Sequence, residues 1–205
     1  MSFFTEYKDI LCESLSNKKN VAILAGSFKP PHKGHYEMVK HYSELVGQDG
    51  NVVVFISKPS PKSERLAANG KPISAETAKK IFELYCSNLP NVSFEISPIS
   101  PVKSCYDFGD RVKGEEIVLI CGCSNKNEDL NRWNRIKEYI EKKYPNIYVV
   151  DPQTTAVPAT LDEGGAVSAS DFRNSFGDIK KMITFMPDHL DVGTKTKIAN
   201  MLLAK

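Results

Sequence analysis

The chain has 205 residues, of which 41% are hydrophobic and 25% charged, a composition typical of a globular domain with a sizeable core. Its 27 basic and 25 acidic residues give a formal charge of +2, too small a surplus to indicate a nucleic-acid partner. No apolar stretch approaches the roughly 20 residues of a membrane span, and five scattered cysteines argue against a disulfide framework. We therefore expect a cytoplasmic protein that binds neither a membrane nor a nucleic acid.

Five short apolar runs predict five β-strands, at 21–25, 52–56, 92–96, 117–121 and 147–150. Most of these runs are continuous rather than alternating, which is typical of strands buried on both faces of a parallel sheet. Apolar residues at helical spacing lie between them, at 35–46, 74–86 and 130–144. Because strands that alternate with helices form βαβ units, the sequence predicts an α/β fold with a Rossmann-like, doubly wound, five-stranded parallel sheet.

The predicted organisation is one domain over residues 1–176, with an N-terminal helix at 1–19, followed by a C-terminal helical tail over 177–205. The segment "MPDHLDVG" at 186–193 breaks the helical pattern of the tail. A long loop at 57–72, basic and rich in proline and serine, follows the second strand. In an open parallel sheet, ligands bind beyond the carboxyl ends of the strands, so functional residues should directly follow strands.

Residues 26–35, "GSFKPPHKGH", directly follow the first predicted strand. Gly26 leaves this strand where a Cβ would obstruct the close approach of a ligand. Two prolines stiffen the loop, and Gly34 begins the next helix, whose N-terminal amides and dipole favour an anion. A turn that only ended a strand would need the glycines and prolines, but it would not need the histidines.

His32 and His35 lie three residues apart, so their imidazoles can face the same pocket if the helix begins near Lys33. Together with the helix N-terminus they form a compact donor set for phosphate oxygens, to which Lys29 adds a cation. No serine or cysteine nucleophile with a clear base lies beside them in the sequence. The pattern therefore favours phosphate binding.

The spacing Gly-x-Phe-x-Pro-x-His-x-Gly-His resembles the first signature of the HxGH nucleotidyltransferase superfamily, which is related to the class I aminoacyl-tRNA synthetases. Its members include cytidylyltransferases and the adenylyltransferases of coenzyme A and NAD synthesis. The residues "PPHKGH" resemble the motif of nicotinamide or nicotinate mononucleotide adenylyltransferases more than that of glycerol-phosphate cytidylyltransferases. The matching positions are Gly26, Phe28, Pro30, His32, Gly34 and His35. Lys29 departs from the pattern, since many members have an acidic or amide residue there.

A second signature of the superfamily, Ile-Ser-x-Thr-x-x-Arg, has a counterpart in "VSASDFR" at 167–173. Ser168, Ser170 and Arg173 match in kind, with serine in place of threonine at position 170. The resemblance implies that this helix start and its arginine hold the triphosphate tail. Ser168-x-x-Asp171 is also a capping box, so a plain helix start is a sufficient explanation of the serine.

The segment "CGCSNKNEDLNRW" at 121–133 follows the fourth strand. Relatives often place a glycine, an aspartate and an aromatic or basic residue here, near the nucleotide or the acceptor. The resemblance thus assigns Gly122 and Asp129 to the nucleotide, and Arg132 and Trp133 to the acceptor. The alternative is that Asp129 caps a helix and Trp133 packs in the core.

The loop at 57–72 offers a further set of basic side chains, namely Lys58, Lys62, Arg65 and Lys71. Such a loop can close over phosphates as a lid, and Arg65 is then a contact of the acceptor. The alternative is a charged loop that is simply solvated.

The resemblance implies nucleotidyl transfer, in which a phosphate on an acceptor attacks the α-phosphorus of a nucleoside triphosphate and pyrophosphate leaves. As catalytic residues, His32 and His35 would contact the α and β phosphates, with help from Lys29. The implied contacts of the nucleotide and its phosphates are Gly26, Ser27, Phe28, Gly34, Gly122, Asp129, Ser168, Ser170 and Arg173. Mg²⁺ is expected to bind mainly through triphosphate oxygens and water, so no metal ligand from the protein is predicted.

Pro30 and the wording "PPHKGH" favour ATP as the nucleotide and a phosphorylated small molecule as the acceptor, nicotinamide or nicotinate mononucleotide first. In that case Trp133 could stack on the pyridine ring. A CTP-dependent cytidylyltransferase that acts on a phosphorylated alcohol or sugar stays open, and so does a non-catalytic nucleotide-binding module. A homo-oligomer is also left open by the sequence.

Overall fold

The computed structural model describes residues 18–58, 65–158 and 168–203. Its central element is a five-stranded sheet in which every neighbouring pair is parallel. The strands are β1 (Lys19–Gly26), β2 (Asn51–Ile56), β3 (Val92–Ile96), β4 (Ile117–Gly122) and β5 (Ile147–Val149). The prediction of five parallel strands in a Rossmann-like fold is confirmed.

The strand order, β3-β2-β1-β4-β5, reverses beside β1. From β1 the chain moves outward through β2 to β3, and it then returns to place β4 on the other side of β1. The register pairs Leu24 of β1 with Gly122 of β4, and Gly26 of β1 with Ile56 of β2. The carboxyl ends of these three strands therefore meet at one edge, which is where a doubly wound sheet binds its ligands.

Helices cover both faces of the sheet. The four that connect the strands are α1 (Lys33–Val46), α2 (Ala75–Tyr85), α3 (Pro101–Arg111) and α4 (Asn127–Lys143). Ala22 and Leu24 of β1 pack in one core with α1 and α2, whereas Val21 and Ile23 pack in a second core with α3 and α4. Because both faces of the strand are buried, its sequence is continuously apolar.

The sequence prediction missed α3, which connects β3 to β4. Ser100 is the N-cap of this helix and accepts a hydrogen bond from the Lys103 amide at 3.1 Å, and Pro101 is the first helical residue. Its buried apolar side chains include Cys105 and Phe108, a stripe too thin to stand out as a periodic pattern. The serine–proline start is the signal that would have found it.

The described part of the chain after β5 contains α5 (Pro152–Thr155), α6 (Ala169–Asn174), α7 (Ile179–Ile183) and α8 (Val192–Leu203). The predicted C-terminal helical tail is thus confirmed, and its break between α7 and α8 overlaps the predicted one. Met182, Phe185, Ile198 and Leu202 are buried in the same core as α1 and α2. The tail therefore packs on its own domain.

Four segments lie outside the described residues, namely 1–17, 59–64, 159–167 and 204–205. Nearly all of the predicted N-terminal helix falls there, although Lys19 already belongs to β1. The predicted domain boundary after residue 176 stays a prediction. Among the described helices, none combines the length and the apolar character needed to cross a membrane.

Candidate active site

A cleft of about 380 Å³ opens at the carboxyl ends of β1 and β4, where the strand order reverses. Eleven of the fifteen site residues predicted from the sequence line it. One side, the histidine wall, is formed by the residues after β1 and by α6, and it carries Gly26, Ser27, Phe28, Lys29, His35, Ser170 and Arg173. The other side, the aspartate wall, follows β4 and carries Gly122, Asp129 and Arg132, while Arg65 reaches the cleft from the loop after β2.

The HxGH spacing makes the two histidines cap each other at the start of α1. His32 is the N-cap residue, and its Nδ1 accepts a hydrogen bond from the Gly34 N–H at 3.2 Å. The Nδ1 of His35 accepts one from the His32 N–H, also at 3.2 Å, and the ring centroids lie 3.7 Å apart in a stack. This is a capping box in which imidazoles replace the usual hydroxyl and carboxylate.

These hydrogen bonds fix the tautomer of both imidazoles. Because each Nδ1 accepts a hydrogen bond, the proton of the neutral ring lies on Nε2, which remains a donor. Burial lowers the pKa of His32 to about 4, and burial together with His32 holds the pKa of His35 well below its usual value. Near pH 7 both rings are therefore neutral Nε2–H donors rather than cations.

The structure brings only one of these rings to the cleft. His35 is half-buried and lines it, whereas His32 is 2% exposed and is not among the described lining residues. The expectation that both histidines face the same pocket is corrected here. His32 occupies the N-cap position, so its ring turns back over the helix start to reach the Gly34 N–H.

Two N-terminal amides of α1 donate their hydrogen bonds to acceptors within the protein. The Lys33 N–H donates to the Phe185 carbonyl at 2.8 Å, and the Gly34 N–H donates to His32. The expectation that the helix start offers its amides to an anion is therefore corrected for these two groups. The start of α1 acts on the cleft through its dipole and through the His35 side chain.

Gly26 and Phe28 shape the floor of the cleft. Phe28 has a positive φ of 51°, and its ring lies edge-on to His35 with centroids 5.0 Å apart. A Cβ on Gly26 would lie 2.6 Å from this ring. The Phe28 ring is thus one reason for glycine at position 26, while the predicted approach of a ligand stays a prediction, and Phe28 in turn supports the imidazole of His35.

Lys29 is 2% exposed, and its ammonium links the histidine wall to the end of β2. Its Nζ donates to the Ser57 carbonyl at 2.6 Å and to the Ser57 Oγ at 3.2 Å. Burial lowers the pKa of Lys29 to about 8, although the Glu76 carboxylate raises it and the Arg65 guanidinium lowers it further. Lys29 is therefore a cation near pH 7 that has few solvating partners, a state that favours an anionic ligand.

Arg173 joins the two sequence motifs. Its guanidinium donates to the Lys29 carbonyl at 2.9 Å and to the Ser170 Oγ at 2.8 Å. Burial lowers the pKa of Arg173, and the nearby Arg65 lowers it further. Arg65 thus repels both Arg173 and Lys29, and an anion in the cleft would relieve this repulsion.

Of the two roles predicted for Ser168, helix capping and triphosphate binding, the structure shows helix capping. Its Oγ accepts from the Asp171 N–H at 3.0 Å, and the Asp171 carboxylate accepts from the Ser168 Oγ at 2.7 Å. The capping box is confirmed, and Ser168 is not among the described residues that line the cleft. Its predicted contact with the triphosphate stays a prediction that this placement does not support.

The aspartate wall is internally neutralised. Asp129 accepts a hydrogen bond from the Ser124 Oγ at 2.7 Å and pairs with the Arg132 guanidinium. A Cβ on Gly122 would meet the Leu24 side chain at 2.4 Å, so glycine is required for the contact of β4 with β1. Sequence reasoning missed Ser124, whose position two residues after the end of β4 was the available signal.

Trp133 lies away from the cleft. It is 1% exposed and packs in the core beneath α4 with Ile136 and Ile140. The prediction that it stacks on a pyridine ring is therefore corrected in favour of the core alternative. Arg132, the preceding residue, lies on a different side of the helix and lines the cleft.

The loop after β2 is described only in part. Arg65 lines the cleft, and its carbonyl accepts from the Ile73 N–H at 2.7 Å. Lys58 and Lys71 are exposed, and Lys62 lies outside the described residues. The lid stays a prediction. Within the described ranges, no group of three or more His, Cys, Asp or Glu side chains is placed to hold a metal ion.

A family model for cytidylyltransferase-like proteins matches residues 23–175, which is more than half of the chain and contains both motifs. The chain therefore belongs to the cytidylyltransferase-like family, a branch of the HxGH nucleotidyltransferase superfamily. This family is in general one of nucleotidyltransferases. A search of curated proteins found no match.

Proposed function

We propose that this member of the cytidylyltransferase-like family transfers AMP from ATP to a phosphorylated small molecule and releases pyrophosphate. Nicotinamide or nicotinate mononucleotide is the first candidate acceptor. The observation that carries the proposal is His35, whose Nε2–H is free of the capping bonds and whose ring lines the cleft at the point where the strand order reverses. The preference for ATP rests on Pro30 and on the residues "PPHKGH" of the first motif.

The charge of the cleft supports a polyanionic ligand. Of the described residues that line it, four carry a positive charge and one a negative charge, and these are Lys29, Arg65, Arg132, Arg173 and Asp129. The one carboxylate is already paired with Arg132. The guanidinium of Arg173 and the ammonium of Lys29 donate to neutral oxygens of the protein, so their positive charge would attract a triphosphate, and the attraction would strengthen as water is displaced.

In the proposed reaction, an oxygen of the acceptor phosphate forms a bond to the α-phosphorus, and the bond from that phosphorus to the bridging β oxygen breaks. The electron pair leaves with pyrophosphate, so negative charge develops on the leaving oxygen. The Nε2–H of His35 donates a hydrogen bond to this developing charge, and Arg173 and Lys29 supply fixed positive charge. His32 would act indirectly, because its backbone N–H donates a hydrogen bond to the Nδ1 of His35 and so orients that ring.

Mg²⁺ is proposed to bind through triphosphate oxygens and water. The lining residues fit this arrangement, because Asp129 is engaged with Ser124 and Arg132 and because Mg²⁺ in phosphate sites keeps several waters. When bound, the ion would neutralise part of the triphosphate charge. The protein would then contribute positioning and hydrogen-bond donors.

A matrix of substrates tests the proposal. ATP or CTP, each with Mg²⁺, is incubated with nicotinamide mononucleotide, nicotinate mononucleotide, a phosphorylated alcohol or a phosphorylated sugar, and pyrophosphate is measured. We expect release with ATP and a mononucleotide. Release with CTP alone would replace the proposed substrates with those of a cytidylyltransferase, and tight triphosphate binding without release for any acceptor would favour a binding module.

A further inference from the structure

The segment after α6 makes a contact that the family match does not cover, since that match ends at residue 175. Phe185, which follows α7, accepts a hydrogen bond through its carbonyl from the Lys33 N–H at 2.8 Å. Lys33 is the first residue of α1 and lies between the two motif histidines. The backbone of the C-terminal segment is therefore attached directly to the helix start that carries His35.

The side chain of the same residue reaches the other motif. The Phe185 ring stacks on Phe172 with centroids 5.2 Å apart and an interplanar angle of 3°. Phe172 is fully buried in α6 and immediately precedes Arg173. One residue of the C-terminal segment thus contacts α1 through its backbone and α6 through its side chain.

We propose that Phe185 is a positioning residue that sets the distance between His35 and Arg173 across the histidine wall. The two elements also meet through the hydrogen bond from Arg173 to the Lys29 carbonyl. The acceptor of that bond, the Lys29 carbonyl, belongs to a loop. Phe185 instead contacts Lys33, the first residue of a 14-residue helix, and the buried ring of Phe172. The kinetic part of this inference rests on the proposed function, in which His35 and Arg173 act on the same triphosphate.

One substitution removes the backbone hydrogen bond to Phe185, and a second substitution at the same position serves as its control. Lys33→Pro deletes the N–H that donates to Phe185, and proline is favoured at the first position of a helix. His32, which would precede the proline, already has the extended backbone that this requires, with φ −136° and ψ 174°. Lys33→Ala removes the same side chain and keeps the N–H, so the difference between the two variants isolates the hydrogen bond.

The side-chain half is tested by Phe185→Leu, which keeps an apolar residue and removes the flat stack on Phe172. Ile198→Ala is its control, because Ile198 is fully buried in α8 of the same C-terminal segment. Both substitutions should lower the melting temperature. Only Phe185→Leu should disturb the geometry of the histidine wall.

The experiment compares kcat and KM well below the melting temperature, together with the imidazole ¹⁵N signals that report the tautomers of His32 and His35. We expect kcat to fall roughly ten- to hundred-fold in Lys33→Pro and Phe185→Leu, as is typical of a small misplacement of catalytic groups. The ¹⁵N signals of His35 should shift in both variants. Lys33→Ala and Ile198→Ala should retain kcat within about twofold and the wild-type signals.

Wild-type kcat and unchanged His35 signals in Phe185→Leu and Lys33→Pro would overturn the inference, and so would a fall in kcat that leaves the His35 signals unchanged. If Lys33→Pro does not fold, Phe185→Leu decides. If the wild-type protein transfers no nucleotide to any acceptor, the proposed function fails, whereas the ¹⁵N signals still decide whether Phe185 positions His35.

Discussion

The two walls of the cleft use their polar groups in different ways. On the histidine wall, Lys29 and Arg173 donate to neutral oxygens of the protein, so their charge stays unmatched by a bonded carboxylate among the described lining residues. On the aspartate wall, the carboxylate of Asp129 is bonded to Ser124 and paired with Arg132. Under the proposed function, the first wall would hold phosphates and the second would contact a less charged part of the ligand.

The largest effect that this comparison predicts is the loss of the donor on the histidine wall. His35→Ala should reduce turnover by about two orders of magnitude or more, because it removes a preorganised hydrogen bond to the developing charge. His189→Ala is the control, since His189 is exposed and its ring contacts Tyr36 outside the cleft lining. The assay is pyrophosphate release at saturating substrates. Near wild-type turnover in His35→Ala would remove His35 from the mechanism.

A smaller effect is expected on the aspartate wall. Asp129→Asn keeps the shape of the side chain but removes the charge that pairs with Arg132, so KM for one substrate should rise by about tenfold while kcat changes little. Glu128→Gln removes an exposed carboxylate one residue earlier in α4 and should have no effect. Steady-state kinetics with each substrate varied in turn provide the measurement. A fall in kcat as large as that of His35→Ala would show that the two walls do not differ as described.

The third prediction concerns stability rather than turnover. The unfolded chain protonates His32 near its usual pKa of 6.5, whereas the folded protein does so only near pH 4. Between these values the unfolded state binds more protons, so the free energy of unfolding should fall as the pH is lowered, by roughly 1.4 kcal/mol per pH unit from this residue. The loss begins below pH 6.5 and is complete near pH 4.

Denaturant unfolding at pH 7, 5.5 and 4.5 measures this slope. His32→Asn is the informative variant, because asparagine is a good N-cap and can accept the Gly34 N–H without titrating. It should unfold with a shallower dependence on pH than the wild-type protein. Equal slopes for the two proteins would assign the acid sensitivity to other groups.

The sequence predicted the sheet because each strand is buried on two faces, and such strands differ from helices in length and continuity. It predicted His35 because a turn that only ends a strand needs glycines and prolines but no histidines, and because the HxGH spacing resembles a superfamily signature. The sequence could not tell which of the two rings reaches the cleft, because this depends on His32 turning back to Gly34.

Other parts of the site depend on contacts between residues that lie far apart in the sequence. Arg132 and Trp133 are neighbours, and only the position of α4 on the sheet decides that the arginine lines the cleft and the indole enters the core. The contact of Phe185 with Lys33 joins residues about 150 positions apart, which no local pattern encodes.

The most direct test of nucleotidyl transfer follows the two ends of the triphosphate separately. The protein is incubated with Mg²⁺, the acceptor and ATP that is labelled either at the α-phosphate or at the γ-phosphate. If the protein transfers a nucleotidyl group, the α label moves to a new product that contains the acceptor, and the γ label is recovered in pyrophosphate. Recovery of the γ label on the acceptor or in inorganic phosphate, with the α label in ADP, would contradict nucleotidyl transfer.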